Sequence, residues 1–150
     1  MKAKELNRKY CREDHIERGT FVELGQSRRN GVRDPHGAIY YYVPAGETTV
    51  FHKIDCDEYW CYHEGAPLEV WMIHPTGQVS VVKLGTRADC EPLLLLEKGV
   101  VFAAKSSKDA SDGTFLSCIT APRFQQQGLT LFSPEEIQRQ YPQAAAFFEK

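Results

Sequence analysis

The chain of 150 residues lacks several features that define specialised classes of protein. Its apolar runs are short, as at residues 93–96, whereas a membrane-spanning helix needs about 20 apolar residues. Lysine and arginine form no cluster of the kind that binds nucleic acid or an anionic membrane, and the formal net charge is −2. The first residues hold no apolar stretch typical of a signal peptide. We therefore expect a cytoplasmic protein whose partners include neither a nucleic-acid polymer nor a membrane.

The cysteines follow no spacing typical of a metal site or a redox motif. The chain has 5 of them, at positions 11, 56, 61, 90 and 118, and no two stand in a CxxC arrangement. An odd number without a recognisable export signal favours reduced thiols. We expect these side chains to pack as small apolar groups.

Strand–helix alternation and internal repeats are also absent from the sequence. Short runs rich in β-branched and aromatic residues instead follow one another, separated by turn residues, at 20–24, 38–43, 49–54, 58–63, 68–73, 78–84, 93–96, 100–104 and 114–120. This pattern is typical of an all-β sandwich or barrel, here a single domain over residues 1–150.

Helical patterns are confined to the two ends of the chain. Residues 2–11 predict a short helix or an arm. Ser133 is a candidate N-cap, because proline and two acids follow it, and the helix is expected to end near residue 140, before Pro142. The core of the domain is therefore predicted at about 17–132, and a helical segment at 133–150.

Residues 46–65, GETTVFHKIDCDEYWCYHEG, carry the most informative spacing in the chain. Five residues separate Gly46 from His52, five separate His52 from Glu58, and six separate Glu58 from Gly65. Because side chains alternate along a strand, His52 and Ile54 share one face of the first run, and Glu58, Trp60 and Tyr62 share one face of the second.

The spacing resembles the first signature of the cupin family, a double-stranded β-helix or jelly-roll barrel that encloses a pocket. The second histidine of that signature is replaced by Ile54. In the part that resembles the second signature, Gly99 matches the turn, Glu97 replaces a proline, and Phe102 stands in place of the last histidine. The resemblance places His52, Ile54, Glu58, Trp60 and Tyr62 inside the barrel.

Further segments resemble the Cupin-5 subfamily, which is related in fold to dTDP-sugar 3,5-epimerases. They are ERGTFVE at 17–23, AIYYY at 38–42, FHKI at 51–54, DEYW at 57–60, GAPLEV at 65–70, FAA at 102–104 and CITAPRF at 118–124. The chain departs from the subfamily at Arg18, where a pair of glycines is usual. The resemblance implies the barrel fold and a small-molecule ligand of the sugar or nucleotide class.

The predicted interior has too few donors for a tightly bound metal. A metal site needs three or four donor atoms at about 2.0–2.2 Å, and two of the usual ligand positions hold Ile54 and Phe102. We therefore expect no cofactor. If a divalent metal binds, His52 and Glu58 are its predicted ligands.

Three functions fit this interior. The first is a metal-independent sugar or sugar-nucleotide isomerase or epimerase, with His52 as the base, Glu58 orienting it and Tyr62 as the acid. The residues predicted to contact its ligand are Trp60, Phe102, Arg123 and Tyr41. The second is a ligand-binding protein without catalysis. The third is a metal-dependent cupin enzyme with an atypical ligand set.

Other polar residues receive structural interpretations. Arg28 and Arg29 are expected in a solvated turn, and Arg33 and His36 in a loop near the barrel mouth. The resemblance to small cupins, together with the outward position of Tyr59, predicts a homodimer.

Overall fold

A computed structural model of the protein describes residues 1–25 and 32–149. The predicted turn at Arg28 and Arg29 lies outside these residues. None of the helices in the described ranges is long and apolar enough to cross a membrane.

The described residues form eleven strands and two α-helices. The strands are β1 (Glu13–Asp14), β2 (Thr20–Leu24), β3 (Gly37–Val43), β4 (His52–Lys53), β5 (Asp57–Gly65), β6 (Leu68–Ile73), β7 (Val79–Leu84), β8 (Leu93–Leu96), β9 (Val101–Ser106), β10 (Thr114–Ala121) and β11 (Thr130–Leu131). The helices are α1 (Ala3–Tyr10) and α2 (Pro134–Gln140), with 3₁₀ segments at Gln126–Gly128 and Pro142–Phe148.

The strands build two antiparallel sheets. The first has the order β1-β2-β3-β10-β5-β8 and the second the order β11-β4-β9-β6-β7. Strands distant in sequence lie side by side, as where β10 pairs with both β3 and β5. This crossed connectivity confirms the predicted all-β jelly-roll fold with short terminal helices.

The main core lies between the two sheets, where alternate side chains of each strand meet. It contains the largest buried residues of the chain, among them Tyr41, Trp60, Phe102, Leu68 and Leu116. The edge of the Trp60 ring meets Tyr41 at 6.1 Å and Phe102 at 5.7 Å between ring centroids. Because Trp60 belongs to one sheet and Phe102 to the other, this contact joins the two layers.

The outer face of the second sheet is covered by the C-terminal segment. Phe51 and Ile73 pack there against Ile137 and Phe147. The helix α2 begins with a capping box in which Ser133 Oγ accepts from the backbone N–H of Glu136 at 3.1 Å, and Glu136 Oε2 accepts from the N–H of Ser133 at 2.7 Å. The predicted N-cap is therefore confirmed.

The predicted strand at 49–54 is shorter in the structure. Only His52–Lys53 belongs to a strand, while the backbone N–H of Val50 donates to the carbonyl of Glu17 at 3.2 Å and that of Thr49 donates to Ala104 at 2.8 Å. Val50 thus bonds to the loop between β1 and β2 instead of to a neighbouring strand. That contact brings the loop beside His52.

Candidate functional site

A cavity of about 390 Å³ opens at one end of the sandwich. Its inner wall is formed by the buried side chains of Glu17, Glu58, Cys118 and Thr120 and by the half-buried ring of His15. Its mouth is bordered by the exposed apolar side chains of Ile16 and Phe124 and by Arg123. A few converging polar groups within an apolar rim are typical of a small-molecule site.

A larger open groove, of about 1190 Å³, lies elsewhere on the surface. Its lining mixes basic residues such as Lys83 and Lys105 with acids such as Glu64 and Asp112. None of the residues predicted to act on a ligand lines it. We therefore place the candidate site in the smaller cavity.

A buried ion pair between Glu17 and His52 forms the back of the cavity. Oε1 of Glu17 lies 2.9 Å from Nε2 of His52, and both side chains are almost fully buried. Glu17 sits in the tight loop between β1 and β2, where Arg18 adopts φ 77° and Gly19 also adopts φ 77°. Arg18 thus holds a left-handed conformation that glycine tolerates better, and its carbonyl accepts from the Tyr41 hydroxyl at 2.5 Å.

Hydrogen bonds settle the charge of His52. Its Nδ1 lies 2.8 Å from the carbonyl oxygen of Val50, which only accepts, so Nδ1 carries a hydrogen. Burial lowers the pKa of His52, but the charge and hydrogen bond of Glu17 outweigh burial and raise that pKa overall. Burial likewise raises the pKa of Glu17, and the charge of His52 reverses the effect and lowers it. Between pH 4.5 and pH 6.5, the ordinary pKa values of the two groups, the pair is therefore an imidazolium and a carboxylate.

Glu58 is the second carboxyl group of the cavity, and its environment is different. One oxygen, Oε1, accepts from the indole Nε1–H of Trp60 at 2.8 Å. Burial and the negative charge of Glu17 raise the pKa of Glu58 from 4.5 to about 7. The cavity thus holds one carboxylate, Glu17, that its ion pair with His52 keeps ionised near neutral pH, and one carboxyl group, Glu58, that exchanges a proton there.

His15 stands beside Glu17 on the cavity wall. Its ring stacks on Tyr41, with centroids 4.7 Å apart and planes 21° apart, and meets the edge of Phe21 at 5.0 Å. Its Nδ1 accepts the backbone N–H of Glu17 at 3.1 Å. Burial lowers the pKa of His15, so the ring is neutral near pH 7.

Only one of the three predicted catalytic residues lines the cavity, namely Glu58. His52 lies behind Glu17, and both of its ring nitrogens are engaged. Tyr62 faces inward but is displaced along β5, where its hydroxyl donates to the carbonyl of Gly65 at 2.6 Å. Tyr62 lies on the predicted inner face of β5, but it stands further along the strand than Glu58 and does not line the cavity.

Three of the four predicted ligand-contacting residues are also displaced from the cavity. Trp60, Tyr41 and Phe102 are buried behind its lining, where they hold Glu58, His15 and His52 respectively. The fourth, Arg123, lines the mouth. It donates to Asp34 at 3.2 Å and to Glu23 at 3.0 Å.

Sequence reasoning missed Glu17 and His15. Both lie in a loop with no strand periodicity, and Glu17 is remote in sequence from His52. The expected partner of His52 was Glu58, whereas the structure places Glu17 there. The available signal was the segment at 17–23 that resembles the subfamily, but similarity in sequence does not show which residues are in contact.

The residues present do not fit the metal site that the fold family implies. Within residues 1–25 and 32–149, no three side chains of histidine, cysteine, aspartate or glutamate converge as ligands. Phe102 lies against His52 with ring centroids 4.1 Å apart, in the region where a further ligand would stand. Both ring nitrogens of His52 are hydrogen-bonded, which leaves no lone pair for a metal.

Similar solved structures share this fold over nearly the whole chain. Protein SO0799 from Shewanella oneidensis has 28% sequence identity and a TM-score of 0.85, with 97% of this chain and 94% of that chain covered. A hypothetical protein from Leishmania major has 23% identity and a TM-score of 0.85, with 97% and 96% covered. Oxalate decarboxylase from Bacillus subtilis has 11% identity and a TM-score of 0.64, and 88% of this chain covers 34% of that one. The last two show the fold alone.

No curated protein is significantly similar to this sequence. The family model Cupin_5, described as Cupin superfamily (DUF985), matches residues 4–132. That span includes both sheets, the cavity and the ion pair of Glu17 with His52. The chain belongs to the Cupin_5 family of the cupin superfamily.

Proposed function

We propose that the protein binds a small polar metabolite in this cavity and isomerises it by acid–base chemistry, with Glu58 as the group that carries the proton. The observation that supports the proposal is the position of Glu58. It is a buried carboxyl group that lines the cavity, is anchored through one oxygen by Trp60, and titrates near pH 7. A general base is most effective when its pKa lies near the working pH.

Glu17 and His52 have a different role in this proposal. The imidazolium of His52 keeps Glu17 ionised, so Glu17 accepts hydrogen bonds from ligand hydroxyl groups. The fixed negative charge of Glu17 also contributes to the raised pKa of Glu58. We therefore assign His52 as a positioning residue rather than the base.

The geometry favours an isomerase over an epimerase. Epimerisation needs an acid and a base on opposite faces of one carbon, and Tyr62, the predicted acid, bonds to Gly65 away from the cavity. Transfer of a proton between neighbouring carbons requires a single carboxylate, as Glu58 provides. A sugar or nucleotide ligand fits the polar inner wall and the apolar rim of Ile16 and Phe124.

A binding screen combined with deuterium exchange tests the proposal. Aldoses, ketoses, their phosphates and nucleotide sugars are screened by ligand-observed NMR, and each is then incubated with the protein in D₂O. We expect at least one compound to bind and to lose the proton next to its carbonyl to solvent. Binding without exchange would instead support the alternative, a ligand-binding cupin, and no binding by any compound would contradict both.

The proposal requires no metal. We expect the purified protein to contain well below one equivalent of manganese, iron, nickel and zinc, because Ile54 and Phe102 remove two usual ligands. Elemental analysis after purification without chelators checks this. A stoichiometric metal that is lost in a Glu17→Gln or Glu58→Gln variant would favour the metal-dependent alternative.

A homodimer is part of the proposal, and the outer face of the first sheet supports it. Helix α1 covers one part of this face at Tyr42 and Phe115. Elsewhere, neighbouring apolar side chains in register are exposed by 40% at Tyr59, 42% at Ile119 and 40% at Leu95. Such a continuous apolar patch is typical of an interface.

An Ile119→Glu change is expected to convert the dimer to a monomer, because it places a charge within the apolar patch, next to Tyr59. Light scattering should give twice the chain mass of 17.1 kDa for the natural protein and 17.1 kDa for the variant. Val81→Glu, on the other sheet and also exposed, is the control. A natural protein that is already monomeric would contradict the expectation.

Cytoplasmic location stays a prediction from the sequence.

A further inference from the structure

We infer that His15 is a catalytic hydrogen-bond donor that polarises the carbonyl group of the substrate, and that the substrate is therefore an α-hydroxy aldehyde or ketone. The inference deepens the proposed function and rests on it. It names the chemical class of the ligand and adds a residue that no sequence pattern indicated.

The tautomer of His15 follows from one hydrogen bond. The backbone N–H of Glu17 donates to Nδ1 at 3.1 Å, so Nδ1 uses its lone pair as an acceptor. A neutral imidazole has one N–H, and that hydrogen must then be on Nε2. Within residues 1–25 and 32–149, no protein group accepts a hydrogen bond from Nε2 of His15. The donor is available to a molecule in the cavity.

The position of His15 is rigid. Stacking on Tyr41 and the edge contact with Phe21 hold the ring plane, and Tyr41 is itself fixed by its bond to the carbonyl of Arg18. The imidazolium of His52 on the far side of Glu17 disfavours a second positive charge. A rigid neutral donor is suited to a developing oxyanion, because it needs no rearrangement during the reaction.

The step is balanced without a co-reactant. The carboxylate of Glu58 takes the proton from the carbon that bears the hydroxyl group. The electron pair of that C–H bond forms the C=C bond of an enediolate, and the carbonyl π electrons move to oxygen, where the N–H of His15 stabilises them. Glu58 returns the proton to the former carbonyl carbon, and a proton passes between the two oxygens, so aldehyde and ketone interconvert with no net oxidation.

Two substitutions of His15 separate the donor from the structural role. His15→Asn keeps an acceptor for the N–H of Glu17 but has no group at the position of Nε2. His15→Gln places an amide N–H near that position. His74→Asn is the matched control, because His74 lies in the turn after β6, bonded to Ser80 at 2.8 Å, and does not line the cavity.

The test measures α-proton exchange in D₂O for each aldose and ketose of the screen, beside its alditol, which has no carbonyl. We expect exchange with the natural protein to fall about 100-fold in His15→Asn, to recover partly in His15→Gln, and to be unchanged in His74→Asn. In the ¹⁵N NMR spectrum of histidine-labelled protein, His15 should be the neutral Nε2–H tautomer at pH 7.

The outcomes that overturn the inference differ from those that overturn the proposed function. Exchange that persists in His15→Asn but is lost in Glu58→Gln would exclude His15 as a donor and leave the proposed function intact. A proton on Nδ1 of His15 would also exclude it. Absence of exchange in the natural protein would overturn the isomerase proposal itself, and this inference with it.

Discussion

A Glu58→Gln variant is expected to lose at least about 100-fold of the α-proton exchange while it binds the same compounds within a few-fold of the natural protein. Glutamine has nearly the same shape and still accepts from the indole N–H of Trp60, but it carries no exchangeable acid proton. The measurement is the exchange rate in D₂O for any compound found in the screen.

Glu64→Gln is the matched control for this variant. Glu64 lies on the same strand, β5, but is exposed and outside the cavity. Its substitution should leave the exchange rate unchanged. If Glu58→Gln exchanges protons as fast as the natural protein, Glu58 is not the proton carrier.

The Glu58→Gln substitution should also change how the stability of the protein depends on pH. The pKa of Glu58 rises from 4.5 to about 7 on folding, so the native state holds this proton more tightly than the unfolded state. Stability from this group is fully present below pH 4.5 and is lost as the pH rises to about 7. Between pH 4 and pH 8, the unfolding free energy of Glu58→Gln should therefore gain about 3 kcal/mol relative to the natural protein. Urea unfolding at several pH values measures this effect. A difference in unfolding free energy between the variant and the natural protein that does not change with pH would contradict it.

A Glu17→Gln variant is expected to lose about 3–5 kcal/mol of stability at pH 6, because it leaves the buried imidazole of His52 without its carboxylate. The pair is charged on both sides between 4.5, the ordinary pKa of Glu17, and 6.5, the ordinary pKa of His52. Stability from Glu17 is lost as the pH falls through its lowered pKa. Stability from His52 is lost as the pH rises through its raised pKa.

An exposed ion pair of similar length provides the control for Glu17→Gln. Lys83 Nζ and Asp89 Oδ2 are 2.8 Å apart, against 2.9 Å in the buried pair, but their side chains are 50% and 61% exposed. Asp89→Asn should change the unfolding free energy by less than about 1 kcal/mol. Equal losses from the two variants would contradict the interpretation of Glu17 and His52 as a buried pair.

The Glu17→Gln variant also tests the electrostatic coupling between the two carboxyl groups of the cavity, Glu17 and Glu58. Since the charge of Glu17 contributes to the raised pKa of Glu58, its removal should lower the pKa of Glu58. The midpoint of the pH profile of exchange should move to lower pH. That shift is a sign of electrostatic coupling that a purely structural role for Glu17 would not produce.

Local patterns predicted most of the fold. Alternation along residues 58–63 placed Trp60 and Tyr62 on the inner face of β5, and the sequence around Ser133 predicted the capping box of α2. Both are decided by neighbours in sequence, through the two-residue period of a strand and the first turn of a helix. The predicted strand at 49–54 is mostly an irregular segment, in which the backbone N–H of Val50 bonds to the loop that carries Glu17, a contact remote in sequence.

The candidate site was less predictable, for reasons that the geometry explains. Alternation assigns a side chain to a face of a sheet but not to a height along the strand, so it grouped Tyr62 with Glu58 although the two lie at different levels. Trp60, Tyr41 and Phe102 face inward as predicted, yet they form a layer behind the cavity lining. Of the residues predicted to be catalytic or to contact the ligand, only Glu58 and Arg123 reach the cavity itself.

By itself, the sequence determined the all-β fold, its family and the inward direction of His52 and Glu58, since each depends on spacing within a few residues or within a signature. The tertiary structure decided which groups meet. The loop between β1 and β2 brings Glu17 to His52 and His15 to the cavity, contacts between residues far apart in the chain. Those contacts set the charges of the cavity residues, because the pKa of a buried group depends on its burial and on its neighbours in space. Neither can be deduced from the residues next to it in the sequence.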